Sequence, residues 1–373
     1  MNQSISKAQA VRGAVKVNGT LIQGWTEFEV NNSSYSSADT FNCTFAANAL
    51  TDDRNARWFS EQKDMFVELF VGFPPDRNRF TADELPSWIY GHVDKVSYDP
   101  ENAVINVSGR DLTRLFIDNK TTEKFQNKTA SQIATMLALR RGLTANVAAT
   151  TTPVGKYYEI DHEFMHDAKT EWDLLNHLAR VEQYVVRVRG KILFFQPKTD
   201  PATTKPYEIK WTPPNATTGY PTCNVTGLKL DRALTVSRGI IVTVRSFNDA
   251  AQKVFTATYP VSKPKATTPG QSAPTGNAQN YFYNVANLTQ EKVLQFAKAK
   301  HAEIIQHEML ACFDIPGNSE LDVMSVIRLN GTGTAWDQNY FPDSLKRSLS
   351  IDDGYRLKVD SKNHAPDSQE TGA

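Results

Sequence analysis

The chain has 373 residues, of which 40% are hydrophobic and 22% are charged. This length and balance predict two or three globular domains, each able to bury a core. Its 41 basic and 41 acidic residues cancel, which argues against a protein that mainly grips nucleic acid, because such proteins concentrate Lys and Arg. No apolar run is long enough to span a bilayer, so we expect no membrane insertion.

Residues 1–112 have the pattern of a β domain. The dipeptide Asn18-Gly19 between apolar residues is a strong signal for a two-residue hairpin. The segment DTFNCTFA (39–46) alternates apolar and polar side chains, which is the period of a half-buried strand. A short helix is expected near 52–60. We therefore expect a closed or half-closed β-barrel with one helix.

Residues 113–205 predict an α+β unit. Thr129 can cap a helix over about 130–141, and Thr170 with Asp173 approximates the capping box of a second helix. A hairpin with the sequence YVVRVRGKILFFQP follows. These elements predict a small domain between two β domains.

Residues 206–360 return to a β pattern, with a strongly apolar run at Ile240–Val244. Residues 261–280 are rich in Pro, Gly, Thr and Ser and break all periodicity, which is typical of a mobile loop. A long helix is expected over 289–310. Residues 361–373 predict a disordered polar tail. The predicted fold class is thus α+β and mostly β.

Several segments together resemble one protein family. The stretch WIYGHVDKVSYDPENAVINVSGRDLTRLF (88–116) pairs two strands around a turn and then opens a helix. Downstream come the helix openings Lys128–Ala134 and Thr170–Leu175, the hairpin already quoted, and the closing segment 331–360. Their order and spacing resemble the baseplate hub proteins of contractile phage tails, the late-control-D or Mu-type hubs.

The resemblance implies a fold and a structural role. Two tail-tube-like β-barrel domains, similar to each other and to the tube subunit, would flank the α+β insert. Three chains would form a pseudo-sixfold ring that joins the tail tube, or a tube-initiator protein, to a spike and lets DNA pass. Because only a short polar tail follows the second β domain, the spike is expected to be a separate chain. Tape measure and baseplate wedge proteins are further candidate partners.

The same resemblance implies that the protein is not an enzyme. It predicts no catalytic residue, no cofactor and no sequence-specific binding of nucleic acid. Its location would be the tail baseplate of the virion, assembled in the host cytoplasm. A tailocin or a related injection machine would have the same sequence features.

One string suggests an alternative function. His162-Glu163-Phe164-Met165-His166 has the HExxH form, and on a helix the two His side chains would share a face and bind zinc while the Glu acted as general base. The helix signal at Thr170 comes after the string, and the residues that follow lack an extended zinc-binding pattern. We therefore prefer a polar strand or loop to a zinc metallopeptidase site at His162, Glu163 and His166.

Other strings point to turns and core packing. Gly331-Thr332-Gly333 lacks the Lys-Ser/Thr of a P-loop, so a turn is expected. Trp25, Trp88 and Trp211 could bind carbohydrate if exposed, but burial in a core explains them more simply. The three cysteines show no CxxC spacing, which predicts buried free thiols in a reducing compartment.

The HExxH string generates a direct test. Protein purified without chelator should contain far less than one zinc per chain by elemental analysis, because the string precedes the helix that would have to carry it. Stoichiometric zinc that disappears in a His162→Ala variant would contradict this prediction and favour the metallopeptidase.

Overall fold

The structure, a computed structural model, describes residues 10–33, 37–76, 78–121, 123, 125, 128–151, 169–182, 184–197, 203–215, 219–234, 240–248, 252–260, 279–285, 288–305, 309–317 and 321–363. Strands dominate it, so the predicted fold class, α+β and mostly β, is confirmed. Its α-helices are α1 (Ala56–Glu61), α2 (Arg114–Ile117), α3 (Ala130–Arg140), α4 (Glu171–Glu182) and α5 (Gln290–Ile305).

The strands follow one another from residue 12 to residue 363. They are β1 (Arg12–Val17), β2 (Thr20–Ile22), β3 (Trp25–Ser33), β4 (Thr40–Ala46), β5 (Phe66–Gly72), β6 (Ser87–Asp99), β7 (Val104–Asp111), β8 (Lys120–Thr121), β9 (Thr144–Val147), β10 (Lys169–Thr170), β11 (Tyr184–Arg189), β12 (Ile192–Pro197), β13 (Tyr207–Thr212), β14 (Thr222–Cys223), β15 (Thr226–Arg232), β16 (Ile240–Asn248), β17 (Lys253–Tyr259), β18 (Gln279–Asn284), β19 (Met309–Pro316), β20 (Ile327–Asn330), β21 (Asn339–Ser350) and β22 (Gly354–Asn363).

The local signals in the sequence form the elements that they predict. Asn18 and Gly19 both have positive φ, 49° and 79°, in the turn between β1 and β2, as a two-residue hairpin requires. The hydroxyl of Thr129 accepts a hydrogen bond from Gln132 N, and the Gln132 side chain accepts one from Thr129 N. This reciprocal capping box satisfies N–H groups that the first turn of α3 would otherwise leave unpaired.

One sheet of 14 strands joins the N-terminal and C-terminal parts of the chain. Its main path runs β14-β13-β20-β21-β3-β4-β7-β6-β5-β1-β2, and β22, β19 and β15 branch from β21. Among the described strands, no pairing closes this sheet into a barrel. The two β domains predicted from the sequence therefore share one hydrogen-bonded sheet through the contact of β3 with β21.

The largest hydrophobic core lies along this sheet and takes residues from both ends of the chain. On β4, Phe41, Cys43 and Phe45 are buried and alternate with more exposed polar residues, as the strand period predicts. Leu345 and Leu357, from the C-terminal part, belong to the same core. Packing as well as hydrogen bonding thus unites the two parts.

Two further cores lie outside this sheet. The insert builds one from α3, α4 and the three-stranded sheet β11-β12-β9. A second unit, not anticipated from the sequence, contains the sheet β17-β16-β18 with α5 packed against it. The apolar run at Ile240–Val244 is a strand, as predicted, but it pairs within this separate unit rather than in the large sheet.

Some predicted boundaries differ from the structure. Residues 309 and 310, expected at the end of a helix, begin β19, because alternate side chains from Met309 onward are buried. Residues 279 and 280, expected in a mobile loop, begin β18, whereas residues 261–278 lie outside the described part of the chain. Residues 361–363, expected to begin a disordered tail, instead end β22 and pair with β19 and β21. Asn363 Oδ1 also accepts a hydrogen bond from Met309 N.

Two sequence expectations, on membrane spans and on the cysteines, can be compared with the described residues. None of the helices in these ranges combines the length and the apolarity that a membrane crossing requires. The three cysteines are free thiols, but only Cys43 is buried, whereas Cys223 and Cys312 are partly exposed.

Close packing of the strands makes Gly109 sensitive to substitution. A Cβ at this position of β7 would lie 2.1 Å from His92 O on β6 and 2.9 Å from the Phe41 ring. Because the first contact is backbone, Gly109→Ala should lower the free energy of unfolding by about 1–3 kcal/mol. Thermal and urea unfolding would measure this loss. The neighbouring Ser108→Ala serves as the control, and equal stability of the two variants would contradict the prediction.

Candidate assembly surfaces

A five-strand motif occurs twice in the large sheet. The first copy has the order β3-β4-β7-β6-β5, and the second has β15-β19-β22-β21-β20. Every neighbouring pair in both copies is antiparallel. In each copy a long hairpin, β6–β7 or β21–β22, forms the centre. The structure therefore contains an internal repeat that is not evident in the sequence.

The two hairpins share an irregularity and an ion pair. The register of β6 and β7 shifts between Val93 and Lys95, so that Asp94 is an extra residue, and Arg110 on β7 donates two hydrogen bonds to it at 2.7 and 3.1 Å. The register of β21 and β22 shifts in the same way at Asp343, whose carboxylate lies 2.7 Å from Lys362 Nζ. Each bulge thus has an acidic residue that binds a basic residue of the opposite strand.

The two motifs meet edge to edge. β21 extends past its short pairing with β20 and pairs antiparallel with β3, from Ser344 opposite Ser33 to Ser350 opposite Glu27. Lys346 Nζ lies 2.8 Å from Glu29 Oε2 across this contact. The hairpin edge of the second motif is therefore covered by the outer strand of the first.

A polar cleft of about 330 Å³ lies where the two motifs and the insert meet. Arg187 on β11 donates a 3.0 Å hydrogen bond to the Asp322 carboxylate, and Arg189 lies 3.6 Å from it. Arg347 on β21 donates to Asn32 Oδ1 and to Leu321 O. These contacts link the insert to the sheet and cross the joint between β3 and β21.

The carboxylates around this cleft have perturbed pKa values. Burial disfavours the ionised form of Asp322, but the charge and hydrogen bond of Arg187, a hydrogen bond from Val323 N and the charge of Arg189 together outweigh it and lower the pKa. Burial raises the pKa of Asp39 and raises the pKa of Asp111 well above its usual range, with the charge of Asp39 adding to the second shift. Asp111 accepts its hydrogen bonds from Thr113, at 3.2 Å from the N–H and 2.8 Å from the hydroxyl.

A second charged cluster lies where β7 leads into the insert. Arg110 and Arg114 surround Asp94 and Asp118 at N–O distances of 2.7–3.3 Å. Three of these residues fall in the segment SGRDLTRLFIDNK that carried the resemblance to hub proteins. The segment thus forms an ionic junction between the β domain and the insert, a role that its sequence alone does not reveal.

Neither the candidate zinc ligands nor the candidate carbohydrate-binding Trp residues of the sequence form an exposed site among the described residues. His162, Glu163 and His166 lie outside the described residues, and the described residues contain no group of three or more His, Cys, Asp or Glu side chains placed to hold a metal ion. Trp25, Trp88 and Trp211 are all half-buried rather than exposed. Trp25 and Trp88 pack edge-on against Phe28 at 5.0 and 5.9 Å, as core residues do.

The Gly331-Thr332-Gly333 string is a turn, as predicted. The Asp337 carboxylate accepts hydrogen bonds from Thr332 N at 3.1 Å and from Gly333 N at 2.8 Å. These N–H groups therefore already have an acceptor within the chain, and β21 rather than a helix follows the turn.

No family model matches the sequence, and no curated protein does either. Solved structures match the fold. The tail protein from Neisseria meningitidis MC58 has a TM-score of 0.69 at 14% identity, covering 95% of this chain and 97% of its own. The 43 kDa tail protein of prophage MuSo2 from Shewanella oneidensis has a TM-score of 0.65 at 16% identity, covering 97% of this chain and 100% of its own.

A third match extends to secretion systems. A component of the type VI secretion system of E. coli, described as structurally similar to the T4 bacteriophage tail proteins gp27 and gp5, has a TM-score of 0.50 at 11% identity. It covers 96% of this chain and 79% of its own. The chain therefore has the fold of phage tail proteins. This agrees with the resemblance to tail hubs found in the sequence.

The buried carboxyl of Asp111 generates a pH prediction. Its pKa is above the ordinary 3.8 in the folded chain, so its contribution to stability is full below pH 3.8 and is lost as the pH rises through the folded-state pKa. Asp111→Asn removes this loss while keeping an acceptor for Thr113 N. The stability of the variant relative to the wild type should therefore increase between pH 4 and pH 7, measured by urea unfolding.

Asp94→Asn is the matched control with the opposite sign. Hydrogen bonds from Arg110 lower the pKa of Asp94, so its contribution to stability is present above the unfolded-state pKa and is lost as the pH falls. The stability of this variant relative to the wild type should therefore stay nearly level between pH 4 and pH 7, and it should increase only as the pH falls below the unfolded-state pKa of 3.8. Parallel curves for the two variants would contradict the assignment of the Asp111 shift.

Proposed function

We propose that the protein is a structural component of a phage or tailocin tail, namely the central hub of its baseplate. Its fold is similar over nearly the whole chain to two tail proteins. The single observation that carries the proposal is the pairing of two equivalent β motifs, edge to edge, within one chain.

A chain of this kind can match two symmetries. A tube built of sixfold rings must meet a spike with threefold symmetry, and three chains with two similar motifs each would present six similar positions. An interface between unlike surfaces generates a ring when the rotation closes, and the joint of β21 with β3 is such an interface inside the chain. The centre of the ring would leave a passage for DNA.

The proposal includes partners and a location. The homotrimer would bind the tail tube or a tube-initiator protein on one face and a separate spike on the other, in the baseplate of the virion. It assigns no reaction to the chain. The charged groups around the polar cleft bind one another and hold the insert on the sheet, which fits a role in assembly.

The assembly itself is the test. The complex purified from assembled tails, analysed by sedimentation and averaged electron micrographs, should contain a ring with three copies of this chain. The mass contributed by the ring should be three times the 41.7 kDa of one chain. The chain alone, studied over a range of concentrations, shows whether the ring needs its partners.

Two outcomes would refute the hub. One is a chain that stays monomeric in the isolated tail complex, and the other is a ring with any other copy number. A hub that trimerises but binds neither tube nor spike would instead refute the proposed partners alone.

A further inference from the structure

The hairpin of the first motif has an uncovered edge. β5 pairs with β6 only as far as His92, and Val93 N then donates to Met65 O. From Asp94 to Asp99, no residue in the described part of the chain pairs with the backbone edge of β6 that faces away from β7. Open strand edges tend to acquire a partner strand.

The equivalent edge of the second motif is already covered. Beyond its bulge at Asp343, β21 pairs with β3 over residues 344–350. The chain therefore contains one example of the contact that the open edge of β6 lacks. In this example, the outer strand of one motif lies antiparallel to the hairpin strand of the other.

The strand equivalent to β3 in the second motif is β15, and its outer edge also has no partner strand among the described residues. Within the described residues, β15 pairs with β19 alone. The joint inside the chain thus uses β21 and β3, whereas their counterparts β6 and β15 each keep an edge without a partner strand in the described part of the chain. One edge belongs to each motif, so a second copy of the chain can supply the complementary strand.

The repeat also predicts the register of this contact. Arg347 lies four residues after the bulge at Asp343 and pairs with Val30, and Tyr98 lies four residues after the equivalent bulge at Asp94. Across the first motif, Val30 pairs with Phe41 and Phe41 pairs with Gly109. Gly109 lies opposite Val93, the residue before the first bulge. In the second motif, Pro342 comes before the bulge and pairs with Ser361. Ser361 pairs with Ala311, and Ala311 pairs with Leu230, which is therefore the residue equivalent to Val30. Tyr98 is therefore expected opposite Leu230.

The side chains at this register are complementary. Tyr98 is 51% exposed, although it borders a groove whose floor includes the buried residues Phe59 and Ile105. Leu230 opposite it would cover its ring on the same face of the sheet. The next pair in this register places Asp99 opposite Lys229, and opposite charges at directly paired positions stabilise a sheet.

We infer that a second copy of this chain adds its β15 antiparallel to the open edge of β6, with Tyr98 opposite Leu230, and that repetition of this contact closes the ring. The inference rests on the proposed hub function for the copy number of the ring. The choice of strands and their register rest on the repeat within the chain.

The first experiment disrupts the open edge. Tyr98→Glu places a charge in the predicted contact and should abolish self-association, measured as the mass of the full chain by sedimentation. Leu21→Glu is the matched control, because Leu21 is also 51% exposed but lies on the short edge strand β2. It should leave the mass unchanged. Both positions are exposed, and circular dichroism would verify that each variant folds.

The second experiment tests the register by cross-linking. The same alignment places Ser97 opposite Asp231, as Lys346 lies opposite Asn31 within the chain. A chain with Ser97→Cys and Asp231→Cys, in a Cys223→Ser and Cys312→Ser background, should give covalent dimers and trimers with a short bis-maleimide. Ser97→Cys with Thr226→Cys is the control, because Thr226 lies five residues along β15, about 16 Å away at the usual strand rise and beyond the reach of the reagent.

The outcomes separate this inference from the hub proposal. Loss of association in Tyr98→Glu alone, together with cross-links in the first cysteine pair alone, supports the strand contact. A trimer that survives Tyr98→Glu and gives no cross-link between positions 97 and 231 overturns the contact but leaves the hub function. A chain that never associates, even in the isolated tail complex, overturns both.

Discussion

The pairing of β3 with β21, in which two otherwise open strand edges cover each other, organises this structure. β3 pairs within its own motif along one edge and with β21 along the other. The corresponding edge of β21 pairs with β20 only at Asn339 and Tyr340 before it meets β3. The pairing places residues from both ends of the chain in one core, including Phe28, Leu345 and Leu349. Without it, each motif would expose an open edge and part of its apolar face to water.

The bulges explain how this pairing keeps its register. A slip of one residue in a strand moves every side chain to the opposite face of the sheet, so a long hairpin needs a fixed point. Asp94 with Arg110, and Asp343 with Lys362, supply that point in the two hairpins. A bulge also increases the local twist of a strand. In the second hairpin the bulge at Asp343 comes directly before residues 344–350, which pair with β3.

The sequence was sufficient for the local elements and insufficient for their arrangement. Caps at Thr129 and Thr170, the Asn18-Gly19 turn and the alternation on β4 were predictable because each depends on residues close in the chain. The internal repeat was not predictable because equivalent positions carry different side chains. When the two motifs are aligned by their strand pairings, Cys43 corresponds to Phe313 and Gly109 corresponds to Ser361.

The separate unit around α5 and the polar cleft could not be predicted from the sequence, because both depend on contacts between residues far apart in the chain. The apolar alternation of β16 indicates a strand, but nothing in it shows that the partners are β17 and β18 rather than strands of the large sheet. The charged pairs of the cleft join residues far apart in the chain, such as Arg187 with Asp322. The segment around Arg110 and Asp111 was recognised only through its resemblance to hub proteins, since its contacts depend on the folded sheet.

The position of the polar cleft connects the insert to the joint between the motifs. Arg347 lies on β21 and donates to Asn32 on β3, and Asn32 in turn donates a 2.7 Å hydrogen bond to Asp39. Asp322, at the same cleft, binds Arg187 of the insert. Burial raises the pKa of Asp39 and Asp111, so keeping these carboxyls there carries an energetic cost. The hydrogen bonds at the cleft are directional, so they relate the orientation of the insert to that of the two motifs. The polar cleft therefore connects the insert to the joint of β3 with β21 through the hydrogen bonds of Asp322 and Arg347.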